Sequence, residues 1–275
     1  MASITPLHEF GFLAVSGRDA AKFLQGYITC NLDSLHPGKS RIGAVCNLQG
    51  RMVSSARLAL KDGVILLRMH RDLVQPTMDF LQKYIVFSKA EMADVSGQYH
   101  CYGIIGEVDD AAVEAGGVTR REDGLLVTVG PARFELWSTA GHIDGEADLD
   151  AWATAEVDAG IAWVGAATAE SFIPQMFGYH QIGAIDFDKG CYLGQEIVAR
   201  MQYRGNLNRR LFRAALAGAH VGDTLMAGGK VAGTIVAAAP NACLAVVQSK
   251  DDGVPDVTTA GGEAVRLEAV SIATD

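Results

Sequence analysis

The chain is short of several things, and each shortage closes off a class of function. Its five cysteines, Cys30, Cys46, Cys101, Cys191 and Cys243, are scattered, and no Cys-x-x-Cys pair occurs. Local spacing therefore offers no zinc or iron–sulfur ligand cluster. Residues 1–17 lack the positive start and long apolar core of a secretory leader. With an odd cysteine count, that fits free thiols in a reducing cytoplasm. No apolar run reaches the roughly 18 residues that cross a bilayer. The longest candidate, residues 231–247, is broken at Pro240-Asn241. Basic residues are also outnumbered: 23 Lys and Arg against 32 Asp and Glu leave a net charge of -9, which argues against bulk DNA binding. Tandem repeats and low-complexity segments are missing as well.

What remains is an ordinary globular composition, 49% hydrophobic and 20% charged over 275 residues. That length suits one large domain or two to three small ones. Residues 10–15 read as a strand, followed by a helix over 18–27 capped by Ser16. Strands at 43–48, 52–60 and 64–69, with turns at Gln49-Gly50 and Lys61-Asp62-Gly63, predict a β-meander. An amphipathic helix follows at 72–85. Strands at 92–95, 99–105, 125–129 and 133–137 enclose a short helix at 109–116. After a polar, acidic linker at 141–150, Asp150 is expected to cap a helix over 151–159. Residues 210–216, 230–238, 244–248 and 264–270 are short strands divided by Gly- and Pro-containing turns, which reads as a small antiparallel barrel. The expected fold class is α+β, with a module at 1–205 and a barrel domain at 206–275.

One stretch carries most of the chemistry: Lys189-Gly190-Cys191-Tyr192-Leu193-Gly194-Gln195-Glu196. A strand-like run at 182–187 precedes it and a helix-like run at 195–203 follows. Cys191 then sits on a turn before a helix N-terminus, two residues after Lys189, and both features favour a thiolate. Glu196 suits the first helical turn and can pair with Arg200. The bland alternative is a buried cysteine beneath a helix start. Beyond the motif, Arg200, Arg204, Arg209, Arg210 and Arg213 form a basic run, and no acidic residue occurs from 197 to 222. Such forks suit carboxylates or phosphates.

Those eight motif residues, continuing as Ile197-Val198-Ala199-Arg200, resemble the signature of the YgfZ-type folate-binding proteins, relatives of the T-protein (aminomethyltransferase) of the glycine cleavage system. Phe23-Leu24-Gln25-Gly26, the hairpin of Asn47 and Gly50, Phe134-Glu135-Leu136 and Glu170-Ser171-Phe172-Ile173-Pro174-Gln175 resemble further family segments, so the likeness spans nearly the whole chain. It implies a T-protein-like module of antiparallel sheets and helices, followed by a β-barrel. It also implies a cavity for tetrahydrofolate or a one-carbon derivative, and support of iron–sulfur client enzymes, including ones that modify tRNA.

On that likeness, Cys191, Lys189 and Glu196 are the expected reactive group. Trp152, Phe10, Glu135, Gln175, Tyr192, Gln195, Arg200 and Arg204 are the expected folate contacts. Trp152 could equally be core, Glu135 an outward strand residue, and Gln175 a loop anchor. T-proteins carry an Asp pair where this chain has Ser54 and Ser55. A hydroxyl is no general base without activation, so aminomethyl transfer is the alternative rather than the first reading. A scaffold docking RNA or protein through the arginines is a third.

Overall fold

The computed structural model describes residues 2–141, 143, 145–203, 207–249 and 253–270. In chain order the elements are β1 (Ser3–Pro6), β2 (Phe10–Ser16), α1 (Ala20–Gln25), β3 (Arg41–Cys46), β4 (Met52–Lys61), β5 (Val64–His70), α2 (Val74–Ile85) and β6 (Glu91–Asp94). Then come β7 (His100–Ile105), β8 (Val118–Arg121), β9 (Gly124–Gly130), β10 (Arg133–Ser138), α3 (Leu149–Asp158) and α4 (Gln195–Tyr203). The last set is β11 (Arg209–Ala214), β12 (Thr224–Ala227), β13 (Lys230–Ala239), β14 (Ala242–Gln248), β15 (Val257–Thr259), β16 (Ala264–Val265) and β17 (Leu267–Ala269).

Two five-stranded antiparallel sheets form the N-terminal part, in the orders β3-β4-β5-β2-β6 and β1-β7-β10-β9-β8. The chain laces them together at once, because β1 joins the second sheet and β2 the first. Strand β2 explains the packing by its period of two. Leu13 and Val15 point into a core with α1 and α2 (Leu24, Val74, Leu81), whereas Phe10 and Phe12 point into a core with Leu125, Val127 and Trp137 of the facing sheet. Strand β2 is thus covered on both sides, which its run of apolar residues requires.

The third sheet has the order β16-β15-β12-β13-β14-β11-β17. Its two edge strands, β16 and β17, are separated in sequence only by Arg266. The two ends must therefore lie side by side, and the sheet curls into a nearly closed barrel around Phe212, Leu225, Ile235, Ala245 and Val257. Between barrel and first sheet runs the irregular segment from 159 to 194. Its Phe172, Phe177, Tyr179 and Ile185 join Ala44 and Met52 on one side and Val236, Leu244 and Val246 on the other in one core.

Local details differ from the sequence reading where tertiary partners win. Helix α1 is shorter than 18–27, and its N-cap is Asp19, whose carboxylate accepts from the Lys89 N–H instead of its own helix. Ser16 ends β2. Helix α3 is capped by Asp148, which accepts from the Ala151 N–H at 2.8 Å, so Asp150 lies inside the first turn. Residues 109–116 form turns, with Asp110 at φ 55° and Gly116 at φ 77°, and the flanking Thr119 and Thr128 hydroxyls bond the Ala112 N–H and carbonyl. Residues 182–187 are turns as well, with Gly183 at φ 66°. The boundary expected at 205/206 falls at residues 204–206, outside the described residues.

Candidate functional site

The motif loop is fastened to the turn after α1. Lys189 is 8% exposed, and its ammonium donates to the Ile28 carbonyl at 2.7 Å and the Cys30 carbonyl at 2.8 Å. Its backbone N–H donates to Asp186 Oδ1 at 2.9 Å, and the Asp186 N–H donates to the Thr29 carbonyl at 3.0 Å. The Leu193 N–H reaches the Gly26 carbonyl at 3.0 Å. Burial lowers the Lys189 pKa to about 8, against the opposing pull of Cys30, Asp186 and Asp33. The sequence reading gave this ammonium to a Cys191 thiolate. In the structure its hydrogen bonds run inward to two backbone carbonyls.

Cys191 itself is exposed, while Cys30, Cys46, Cys101 and Cys243 are buried. Gly190 meets open space where a Cβ would stand. Gly194 is the opposite case: its φ is 81°, and a Cβ would fall 2.4 Å from the Asn47 carbonyl oxygen and 3.1 Å from the Gly50 Cα. The loop and the Asn47–Gly50 turn therefore touch backbone to backbone, which only glycine allows. Helix α4 starts as expected at Gln195, whose Oε1 accepts from the Tyr192 N–H at 3.4 Å. Glu196 pairs with Arg200 at 2.7 Å on the exposed face.

Other expected contacts serve this scaffold. Gln175 is 3% exposed and donates from Nε2 to the Val198 carbonyl at 2.6 Å, so it anchors α4. Tyr192 is buried in the central core, and burial pushes its phenol well above the usual range. Arg204 lies outside the described residues. Arg213 pairs with Asp158 at 2.8 Å, which tempers the basic run. Ser55 accepts from the Val164 N–H at 2.9 Å, and the buried Ser54 hydroxyl has no hydrogen-bond partner among the described residues. Among the described residues, no group of three or more His, Cys, Asp or Glu could hold a metal ion. No helix among them is long and apolar enough to cross a membrane.

Elsewhere, a cavity of about 550 Å³ opens where the ends of β2 and β5 meet α3 and β13. Phe10, Trp152 and Trp163 give it aromatic walls, His70 and Glu156 give it polar groups, and residues 236–240 close the barrel side. Its size falls within the range of small-molecule sites, about 300–1,000 Å³. Trp152 is 3% exposed and rests on Gly103, where a Cβ would come within 2.4 Å of the indole. It is both a core residue and a cavity wall.

A buried ionic network supports those walls. The Arg68 guanidinium stacks 4.0 Å from the Phe10 ring centre and 3.9 Å from that of Trp163. It forks onto Glu135 at 2.6 and 3.1 Å, where Arg57 at 3.4 Å and the Trp137 indole N–H at 2.9 Å also converge. Burial alone would raise the Glu135 pKa, but Arg68 and Arg57 outweigh it and hold the carboxyl below its usual range. Glu135 is 1% exposed and does not line the cavity. The buried carboxylate that does is Glu156, held by Arg133 at 3.1 Å and by the Trp163 indole N–H at 2.8 Å, while the exposed Glu9 and Asp150 line the rim. Sequence reasoning missed Glu156 and Trp163. The available signal was the spacing of Glu156, four residues after Trp152 and hence on the same helix face.

Cys191 is not among the residues lining this cavity. Its loop packs at edge strand β3, and two strands, β4 and β5, separate β3 from β2. The exposed thiol loop and this aromatic pocket are thus two separate places among the described residues.

No protein-family model matches the chain. Among solved structures, the aminomethyltransferase T of the glycine cleavage system from Bartonella henselae superposes with a TM-score of 0.75, covering 98% of this chain and 85% of its own at 14% identity. That likeness establishes the fold. The tRNA-modifying protein YgfZ of Sodalis glossinidius is 30% identical over 250 residues, 81% of this chain and 75% of its own length. The tRNA-modifying protein YgfZ of Colwellia psychrerythraea is 30% identical over 226 residues, 75% of this chain and 69% of its own. On sequence and fold together, the chain belongs to the family of the tRNA-modifying protein YgfZ.

Proposed function

We propose that this chain is a tetrahydrofolate-binding accessory protein that helps build or repair iron–sulfur clusters in client enzymes of the cytoplasm, tRNA-modifying enzymes among them. The observation that carries the folate part is the 550 Å³ cavity with Phe10, Trp152 and Trp163 as walls and Glu156 inside. A flat bicyclic ring suits aromatic walls. A carboxylate with a fixed orientation accepts hydrogen bonds from a ring's amino and N–H edge. Arg133 and Trp163 hold Glu156 in place before any ligand arrives, so little order is lost on binding. When bound, tetrahydrofolate supplies a carrier for one-carbon units.

Cys191 has a separate task in this reading. An exposed thiol, with open space above Gly190, can meet a sulfur species or a cluster carried by a partner. It provides one ligand at most, and the partner provides the others. Lys189 acts from below by fixing the loop that presents the sulfur.

Aminomethyl transfer is less well supported. Ser55 already accepts a backbone hydrogen bond, Ser54 is buried, and neither is a general base. Isothermal titration with tetrahydrofolate tests the cavity reading. Saturable heat that Glu156→Gln diminishes is expected. No heat with any reduced folate would remove the reading.

A further inference from the structure

The charged side chains at the cavity are nearly all of one sign. Glu9 and Asp150 are exposed where they line it, and Glu156 lies within. Among the described residues that line it, His70 is the one histidine and none is Lys or Arg. The guanidiniums of Arg57, Arg68 and Arg133 are close by, but they are buried and tied to Glu135 and Glu156. Arg200, Arg209, Arg210 and Arg213 do not line the cavity either.

This matters for the two ends of a folate. The bicyclic head is neutral and offers N–H donors, which Glu156 accepts. The tail carries carboxylates, one more for every added glutamate, and the exposed rim toward solvent carries Glu9 and Asp150 beside the uncharged Leu149, Gly218, Val221 and Pro240. We infer that this pocket selects the reduced bicyclic head with a short tail or none, and discriminates against polyglutamylated folates. The inference rests on the folate reading of the same cavity. Two like charges about 7 Å apart in water change an equilibrium constant by about threefold. A pentaglutamate tail should therefore bind about 3–10-fold more weakly than the monoglutamate at low salt. Screening should erase the difference as the Debye length contracts toward about 6 Å.

The test is titration calorimetry on the full chain with three probes: 6-methyltetrahydropterin, tetrahydrofolate monoglutamate and tetrahydrofolate pentaglutamate. Each is measured at about 0.02 M and about 0.3 M salt. The expected order at low salt is tail-less pterin and monoglutamate above pentaglutamate, with the gap closing at high salt. The double variant Glu9→Gln, Asp150→Asn changes two exposed residues, so folding is retained, and it should close the gap at low salt too. Equal or tighter pentaglutamate binding at low salt overturns the selectivity and leaves the cavity reading intact. Failure of all three probes to bind removes the cavity reading and the selectivity with it.

Discussion

Replacing Lys189 with Met tests how the motif loop is held. The change keeps the aliphatic stem and removes the ammonium, which leaves the Ile28 and Cys30 carbonyls without their donor. Each buried acceptor left unmatched costs about 1–3 kcal/mol, and relief from burying a cation offsets part of it. A net loss of about 2–4 kcal/mol follows, equivalent to a fall of about 4–12 °C in Tm for a chain of this size. The neighbouring Cys30 provides a local readout. Iodoacetamide should label only Cys191 in the native protein, since the other four cysteines are buried, and Lys189→Met should add Cys30. The pH dependence has a definite sign. The unfolded chain holds the lysine proton up to about 10.5, whereas the folded chain releases it near about 8. Between these values the unfolded state binds more protons, so stability rises with pH in that window and is flat below it. The neutral amine keeps two N–H groups, enough for both carbonyls. The Tm difference between wild type and Lys189→Met should therefore widen from pH about 8 to about 10. An unchanged Tm with Cys30 still protected, or a gap that narrows with pH, would refute the clamp.

Other substitutions separate the remaining roles. Glu156→Gln should weaken tetrahydrofolate binding by about tenfold and lower Tm, because Arg133 loses its buried counter-charge; calorimetry and thermal melting read the two effects. Gly194→Ala should destabilise by about 2–4 kcal/mol through its positive φ and its clash with the Asn47 carbonyl, while Gly190→Ala should leave Tm nearly unchanged. Cys191→Ala should abolish support of a cluster-dependent tRNA-modifying enzyme with little change in Tm, since the side chain is exposed. Retained support with a large Tm loss would make the cysteine structural.

Much of the scaffold is legible in the residues because it follows local rules. The hairpin at 61–64 shows in Asp62-Gly63, which adopt φ of 52° and 80°. Helix α4 begins at Gln195, where the motif's glycine ends the turn. The barrel shows in its Gly- and Pro-marked turns. Legibility ends where partners lie far along the chain. A glutamate at 135 looks the same from sequence whether it faces a ligand or an arginine, and its partner Arg68 is 67 residues away. Lys189 has the same problem, since its acceptors lie about 160 residues earlier. The segment 159–194 has little regular periodicity because it fills the space between a sheet and a barrel, so a strand at 182–187 was a natural but mistaken expectation. Capping also shifted where an acidic side chain had a competing donor, as Asp19 does in the Lys89 N–H.

A crystal structure of the protein soaked with tetrahydrofolate addresses the central claim most directly. The account predicts the bicyclic ring among Phe10, Trp152 and Trp163, with its amino edge within hydrogen-bond distance of Glu156 and its tail directed to solvent. A ring bound elsewhere, or a cavity that stays empty at saturating ligand, would contradict it.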